Sequence, residues 1–336
     1  PIEVITADHQ NKADIAVSIA RQWYDQDKVD MIVDLANSAV ALAVQEVTRE
    51  RKRVMIASSV GTSALTNKAC SPYGIHYTYD TYSLANSTAR AVVKSGGDSW
   101  FFVTADYSFG YTLEQDATNV INELGGKVVG RARHPLNTAD MSSYLLQAQA
   151  SKSKVVGFAN ASGDTINAIK QAVEFGVPQG GQKLAALLFQ IVDVHAVGLK
   201  HAQGIYLTEA FYWDLNDETR AFSKRFFDKM GRMPTMVQAG VYSSVMHYFK
   251  AVEAAGTDDA DKVMAKMREI KVNDFFAKDG YIRPDGRHVH DMYLFQIKKP
   301  EESKGPWDYY KLVATIKGED AFIPAEKSEC PLMKKG

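Results

Sequence analysis

One stretch near the start of the chain limits the folds that this sequence can adopt. The apolar run 29–35 is followed by Asn37 and Ser38, and then by the apolar run 39–47. Asn and Ser are preferred at the capping position of a helix, so the pattern predicts a strand that leads directly into a helix. A helix that begins at the carboxyl end of a parallel strand directs unpaired N–H groups and a partial positive charge toward that end. The stretch therefore predicts an α/β fold with a carboxylate site at the start of this helix.

Composition sets limits on the class of protein. The chain has 336 residues, of which 46% are hydrophobic and 24% charged, enough for a large core in two domains. The net charge is −1 with scattered Lys and Arg, so no electrostatic feature favours nucleic acid or an acidic membrane. No apolar run reaches the length of a membrane span, and no signal peptide is visible. A soluble protein is expected, either cytoplasmic or with its signal removed or not included. A core strand expected at 2–6 suggests that the printed chain begins inside a fold.

Strands and helices alternate along the chain. Besides 29–35, strands are expected at 54–57, 100–104, 127–133, 154–158, 184–189, 204–208, 292–297 and 309–316. Helices are expected at 12–26, 39–50, 83–94, at 142–150, 217–230, 235–255 and 258–270, and in two segments that end near 124 and 175. Strands about 25 residues apart with intervening helices are produced by right-handed βαβ units. Parallel sheets covered by helices on both faces, in two lobes, are therefore expected.

The two cysteines, Cys70 and Cys330, lie in similar turn-like settings beside prolines. Their spacing does not match a metal site. They are either two unrelated thiols or a disulfide that ties the C-terminal tail to the body in an oxidising compartment. The disulfide is favoured, and such a cross-link would be worth roughly 4 to 5 kcal/mol in the chain-entropy model.

The familiar catalytic and nucleotide-binding motifs are absent from the sequence. There is no Gly-x-Gly-x-x-Gly after a strand, no phosphate-binding P-loop and no Gly-x-Ser-x-Gly elbow. His288 and His290 alternate along a strand but lack a third ligand, so no metal is expected. His9 beside Asp8 is interpreted in the same way, as a local hydrogen-bonding residue. No cofactor is expected, and an enzyme with catalytic groups distant in sequence stays open only as an alternative.

What remains is a set of non-reactive polar and aromatic residues that follow strands. The first lobe offers Asn37, Ser38, Ser58, Ser59 and Thr62, and the second offers Tyr107, Phe109, Asn160 and Asp164. Each alone is equally compatible with an ordinary cap or turn, and Asp164 is expected to cap the helix that follows it. Ligands bind open α/β sheets at the carboxyl ends of strands, so the joint placement of these residues predicts a binding site.

Six segments together resemble the type I periplasmic binding proteins of the leucine/isoleucine/valine-binding group, the solute receptors of ABC importers. These segments are 8–14, 37–40, 65–72, 79–82, 105–110 and 234–242. The resemblance covers essentially the whole chain. It implies two Rossmann-like lobes, parallel sheets flanked by helices, joined by three crossing segments. It also implies a ligand held in the cleft between the lobes, which close on it like a venus flytrap.

The resemblance also implies lobe boundaries. Lobe I would comprise 1–79 and 211–285, lobe II 80–209 and 288–316, and the tail 317–336 would be tied back to lobe I. The crossing segments would lie near 78–81, 209–213 and 283–288. Members of the family normally begin with a further strand and helix, which we expect to be missing before Pro1.

Carried over by position, the family's site gives each residue an expected role. The ligand's carboxylate would be held by Asn37, Ser38 and the loop 59–62, and Phe109 would cover the ligand. Asn160 and Ala161 fall in another contact loop of the family. The amino-acid binders of the family hold the ammonium group of the ligand with an acidic residue. At that position this chain differs from the family pattern, because Gln190 lies nearest and Asp193 follows a little later. The expected ligand-binding set is Asn37, Ser38, Ser58, Ser59, Gly61, Thr62, Tyr82, Tyr107, Phe109, Asn160, Asp164 and Gln190.

The departure at Gln190 and the tyrosines of 73–82 guide the prediction of the ligand. Without a clear ammonium partner, an aromatic carboxylate is slightly favoured over a branched-chain or other hydrophobic amino acid, although the tyrosines could equally only pack the hinge. The resemblance implies a periplasmic, monomeric receptor that serves permease subunits in the membrane and contacts no nucleic acid. A ligand-sensing module of a regulator or signalling receptor is the alternative.

Overall fold

The computed structural model describes residues 2–333 of the chain. Its helices are α1 Ala13–Asp25, α2 Ser38–Arg51, α3 Thr81–Lys94, α4 Ser108–Glu123, α5 Ser142–Ala150, α6 Ser162–Glu174, α7 Ile191–Val197, α8 Leu199–Ala202, α9 Asp217–Met230, α10 Met236–Ala255, α11 Ala260–Glu269 and α12 Gly318–Ala321. Its strands are β1 Met31–Val33, β2 Val54–Ala57, β3 Gly74–His76, β4 Ser99–Ala105, β5 Lys127–His134, β6 Val155–Ala159, β7 Lys183–Ala186, β8 Tyr206–Glu209, β9 Tyr281–Ile282, β10 His288–Val289, β11 Met292–Ile297 and β12 Tyr310–Ile316. Between residues 2 and 333, no helix combines the length and the apolar character that a membrane crossing requires.

The described chain is divided into two compact units. The first contains 2–79, 240–289 and 324–333, and the second contains 80–239 and 290–323. The segment 209–213, where a crossing was expected, lies within the second unit, and the expected lobe boundaries stay predictions. The physical reason is packing, because Tyr212 and Trp213 belong to the hydrophobic core of the second unit. Residues 317–323 lie in the second unit, and the described chain from 324 lies in the first.

The first unit is built on a parallel sheet in the order β1-β2-β3. All four residues of β2 are buried, as expected for the central strand of a covered parallel sheet. Its core combines side chains of α1 and α2 with strand residues, among them Ala16, Ala20, Val40, Val44 and Met55. The sequence prediction of parallel strands with covering helices is confirmed for this unit.

The second unit contains a parallel sheet in the order β5-β4-β6-β7 and an antiparallel sheet in the order β12-β11-β8. Phe101, Phe158 and Phe295 are among the side chains that form its hydrophobic core. Parallel pairing was predicted from the alternation of strands and helices and is confirmed for β4 to β7. The antiparallel pairing of the last strands is a finding of the structure, because β11 and β12 follow each other without a crossover helix.

The expected strand at 2–6 is wrong. The residues between 2 and 9 form no regular element, and Ile2 and Val4 are 68% and 81% exposed. A strand needs a neighbour to satisfy its backbone groups, and no strand within residues 2–333 pairs with this segment. The apolar pattern of this segment was therefore insufficient to predict a strand.

The tail from 324 onward is fixed to the first unit by a covalent bond and by hydrogen bonds. Cys70 and Cys330 form a disulfide, which confirms the favoured reading of the two cysteines. Beside it, the Asn67 side chain donates to the Glu329 carboxylate at 3.1 Å and accepts the Glu329 backbone N–H at 2.6 Å. The Arg49 guanidinium donates to the backbone carbonyl of Cys70 at 2.8 Å. These contacts anchor both ends of the bridge.

Replacement of Cys70 and Cys330 together by Ser is expected to lower the free energy of unfolding by ~2–5 kcal/mol. The reason is that the bridge joins residues 260 positions apart and so restricts the unfolded chain. Urea unfolding followed by circular dichroism measures the change. Wild-type protein in reducing buffer should behave like the double variant, and a double variant as stable as oxidised wild type would contradict the prediction.

Candidate functional site

The loops after β1 and β2 are bonded to each other in the first unit. Asp34, which follows β1, has a left-handed backbone with φ 62°. Its carboxylate accepts the backbone N–H of Ser59 at 3.1 Å and also the Ser59 hydroxyl. Four residues further along, the Ser38 hydroxyl oxygen accepts the N–H of Thr62 at 3.2 Å. The predicted neighbourhood of these two loops is therefore confirmed.

Asn37 caps α2, as its position after β1 predicted. Its Oδ1 accepts the backbone N–H groups of Ala39 and Val40 at 2.9 and 3.2 Å. Two of the N–H groups that we expected to face a carboxylate are thus satisfied within the protein. What α2 still offers an anion is its dipole and the hydroxyl of Ser38, whose oxygen accepts from Thr62 while its proton can be donated.

The remaining candidates of the first unit hold the exit of β2. The Ser58 and Thr78 hydroxyls lie 2.6 Å apart, and both side chains are fully buried. The Tyr79 hydroxyl donates to the backbone carbonyl of Ser59 at 3.0 Å. Gly61 is buried in the same loop. The predicted contact residues are therefore grouped, but several of them are already hydrogen-bonded to other groups of the protein.

In the second unit, Tyr107 and Phe109 lie where β4 passes into α4. Tyr107 precedes the first residue of α4, Phe109 is buried in its first turn, and their ring centroids are 5.9 Å apart. Burial raises the pKa of the Tyr107 phenol above its ordinary value, so it stays protonated at neutral pH. A Cβ at Gly110 would lie 2.0 Å from the carbonyl oxygen of Ala105, so glycine is required for α4 to approach the end of β4. This approach fixes the position of both rings.

Asn160, at the exit of β6, is held by two side chains that the sequence analysis missed. Its Nδ2 lies 3.0 Å from His134 Nε2, and its Oδ1 accepts the Thr165 hydroxyl at 2.7 Å. The other ring nitrogen of His134, Nδ1, lies 2.8 Å from the carbonyl oxygen of Pro135. His134, Asn160 and Thr165 are all fully buried. His134 is the last residue of β5, so the rule that strand ends carry functional residues could have found it.

The prediction that Asp164 caps the helix after β6 is wrong. The residue before the first turn of α6 is Ala161, and Asp164 lies inside that turn. Its carboxylate accepts the backbone N–H groups of Asn137 and Thr138 at 3.2 and 2.8 Å. Burial raises the pKa of Asp164, while those N–H groups oppose the shift. The carboxylate therefore holds the loop after β5 and does not cap its own helix.

Near α7, two buried carboxylates are engaged by the protein itself. Gln190 precedes α7, and its backbone N–H donates to the Asp193 carboxylate at 2.9 Å. Burial raises the pKa of Asp193 to about 6. Glu209, at the end of β8, accepts the Tyr310 hydroxyl at 2.6 Å, and burial raises its pKa to about 8. At neutral pH Glu209 is mostly protonated, so it is a poor partner for an ammonium group.

Tyr82 is separate from the other candidates in the described structure. It lies in the first turn of α3, and the charges that act on its hydroxyl include Glu123 and Arg90 on helices α4 and α3. No described hydrogen bond or ring contact joins it to another expected ligand residue. Within residues 2–333, no group of three or more His, Cys, Asp or Glu side chains could hold a metal ion.

Comparisons of the sequence and of the structure with known proteins agree on one family. A family model described as "Periplasmic binding protein" matches residues 1–305. A periplasmic binding protein from Burkholderia mallei is 54% identical, with a TM-score of 0.97 over 99% of this chain and 88% of that one. A branched chain amino acid ABC transporter periplasmic ligand-binding protein from Burkholderia xenovorans LB400 is 41% identical, with a TM-score of 0.87 over 99% and 89%.

A more distant structure shares the fold. It is a solute binding protein of an ABC transporter from Rhodopseudomonas palustris BisB5, solved in complex with 3,4-dihydroxybenzoic acid. It is 20% identical, with a TM-score of 0.87 over 97% of this chain and 88% of that one. At this identity the similarity shows the fold alone.

Substitution of the helix cap tests the local role of Asn37. Asn37→Ala is expected to lower the free energy of unfolding by about 1 kcal/mol, because two N–H groups at the start of α2 lose their acceptor. Asn37→Ser should retain most of the stability, since Ser is also a preferred cap. Chemical denaturation of the three proteins compares them, and an equal loss in both variants would contradict a capping role.

The raised pKa of Glu209 predicts that the free energy of unfolding depends on pH. Its pKa of about 8 lies above its ordinary value of 4.5, so the folded state keeps a proton that the unfolded state releases. The stability contributed by this group is full below pH 4.5 and is lost as the pH rises toward 8, by up to about 1.4 kcal/mol per pH unit.

Glu209→Gln should remove this slope between pH 5 and 8, whereas the exposed control Glu174→Gln should keep it. Urea denaturation at several pH values provides the measurement. Parallel stability profiles for wild type and Glu209→Gln would show that the carboxyl is ionised in the folded protein.

Proposed function

The chain belongs to the type I periplasmic binding protein family, and on this premise we propose that it is the periplasmic receptor of an ABC importer for a small carboxylate. Its homologues are transport receptors and not enzymes, and ABC transporters supply the permease subunits with which it would work. The family and the transporter role are shared with relatives that cover nearly the whole chain. The ligand, the periplasmic location and the roles of single residues are the parts that we propose.

The proposal of a carboxylate ligand rests on one observation. At the start of α2, after β1, Asn37 and Ser38 are buried beside the loop after β2. The positive end of the helix dipole favours an anion there. The Ser38 hydroxyl, fixed by the Thr62 N–H, keeps a proton to donate. We therefore place the carboxylate of the ligand at Ser38 and the loop 59–62.

The acidic residues near α7 support an acid without an ammonium group. Asp193 accepts the N–H of Gln190, and Glu209 is bonded to Tyr310 with its pKa raised to about 8. An ammonium ion removed from water needs an ionised partner. Together with Tyr107 and Phe109, this favours an aromatic acid, and the benzoate derivative bound by the Rhodopseudomonas palustris protein is of this class.

A branched-chain or other hydrophobic amino acid is the alternative ligand. This alternative is supported by the relative from Burkholderia xenovorans LB400, a branched chain amino acid ABC transporter periplasmic ligand-binding protein that is 41% identical. Closure of the two expected lobes on the ligand stays a prediction, as does the monomeric state. Scattering profiles with and without ligand, and the mass in solution, would test these two points.

A thermal-shift screen followed by calorimetry tests the ligand class. We expect an aromatic acid such as 4-hydroxybenzoate to raise the melting temperature more than leucine does, because near α7 Glu209 holds a proton and the Asp193 carboxylate already accepts the N–H of Gln190. Ser38→Ala should weaken binding of that acid about 10-fold, the loss of one hydrogen bond to a charged group.

Ser142→Ala, at the start of α5, removes the same hydroxyl from a helix outside the expected site and should leave the affinity unchanged. If an amide or a sugar stabilises the protein while no acid or amino acid does, the proposed ligand class is wrong.

A further inference from the structure

We infer that His134 and Thr165 are positioning residues that fix the amide of Asn160, so that its nitrogen faces a hydrogen-bond acceptor of the ligand. The inference rests on the proposed function and deepens it, because it states which kind of ligand atom the exit of β6 selects. It depends on three fully buried side chains at one edge of the parallel sheet of the second unit.

The direction of each hydrogen bond follows from the chemistry of the partners. The carbonyl oxygen of Pro135 can only accept, so His134 Nδ1, 2.8 Å away, must carry a proton. In the neutral ring Nε2 is then an acceptor, and it lies 3.0 Å from Nδ2 of Asn160. The side-chain nitrogen of Asn160 therefore donates to His134.

Thr165 fixes the other end of the amide. Its hydroxyl donates to Asn160 Oδ1 at 2.7 Å, from a position in α6 five residues further along the chain. Amide groups can rotate by 180° and exchange nitrogen and oxygen, and the network around them decides the orientation. Here His134 Nε2 accepts from Nδ2 of Asn160, and the Thr165 hydroxyl donates to Oδ1. The reverse orientation would place Oδ1 against Nε2 of His134, so that two acceptors would face each other. The amide is thereby held in one orientation.

The fixed orientation determines what Asn160 can offer. One N–H of Nδ2 is used by His134, and among the described residues no second acceptor bonds to this nitrogen. If a ligand reaches this nitrogen, the other N–H can donate to an acceptor such as a carboxylate, carbonyl or phenolic oxygen. A buried N–H that meets no acceptor is costly, so an apolar or donor group at this point is disfavoured.

Asn160→Asp tests the selection directly, because it replaces the donor nitrogen by an anionic oxygen of nearly the same size. Calorimetry with 4-hydroxybenzoate, 3,4-dihydroxybenzoate and leucine should show at least about a 10-fold loss of affinity for the best-binding acid. Asn167→Asp, also on α6 and partly buried, adds the same charge outside the network and serves as the control. It should change the affinity by less than about 2-fold. An Asn160→Asp protein that binds the acid like wild type overturns the inference.

Two further variants separate positioning from simple stability. Thr165→Val removes the donor to Oδ1 at constant volume, so the acid should bind about 5-fold or more weakly. Thr165→Ser restores the hydroxyl and should recover most of this loss even if it lowers the melting temperature. If the two variants bind equally, Thr165 has no positioning role and the inference fails.

A spectroscopic measurement decides the orientation without any ligand. Nitrogen-15 NMR of the His134 ring at neutral pH should show a protonated Nδ1 and an unprotonated Nε2. A doubly protonated ring, or a proton on Nε2 alone, would require the amide of Asn160 to be reversed and would overturn the inference. If wild type binds none of the three probes, the proposed ligand class fails instead, while the NMR result still decides the orientation of Asn160.

Discussion

The loops that leave a parallel sheet must satisfy their own buried polar groups before they can bind anything. This constraint shapes both units of the protein. Asn37 caps α2, Ser38 accepts the N–H of Thr62, and Asp164 holds the loop after β5. Because an unpaired buried N–H costs about as much as a lost hydrogen bond, these internal bonds come first. What a ligand can use is the remainder, namely hydroxyl protons, spare amide N–H groups and helix dipoles.

This constraint explains why local features were predictable from the sequence. Asn37 follows an apolar strand and precedes an apolar helix, and capping depends only on those neighbours. The parallel pairing of β1 with β2 follows from the strand–helix–strand order. The disulfide was favoured because the two cysteines, Cys70 and Cys330, share similar settings. In each case the information lies within a short segment or in a rule of chain topology.

The rest depends on partners that lie far apart in sequence. Glu209 and Tyr310 are separated by 101 residues, and nothing in either segment shows that they form a hydrogen bond. Asp164 matches the pattern of a helix cap, but the loop after β5 supplies N–H groups that bind it instead. The segment at 2–6 has the pattern of a strand, yet strands form by pairing and not by composition. Each of these outcomes depends on long-range contacts, which are present at Glu209 and Asp164 and, within the described chain, missing for the segment at 2–6.

The same long-range contacts are the reason for the charge that we propose for the ligand. Glu209 is nearly neutral at physiological pH because burial costs the carboxylate more than the Tyr310 hydroxyl returns. Asp193 has its pKa raised to about 6, and its carboxylate already accepts the N–H of Gln190. An ammonium group placed near α7 would have to ionise the first or displace the N–H bond of the second. The proposed acid would avoid both costs, since helix dipoles and the donor nitrogen inferred for Asn160 would stabilise negative charge without any change of protonation.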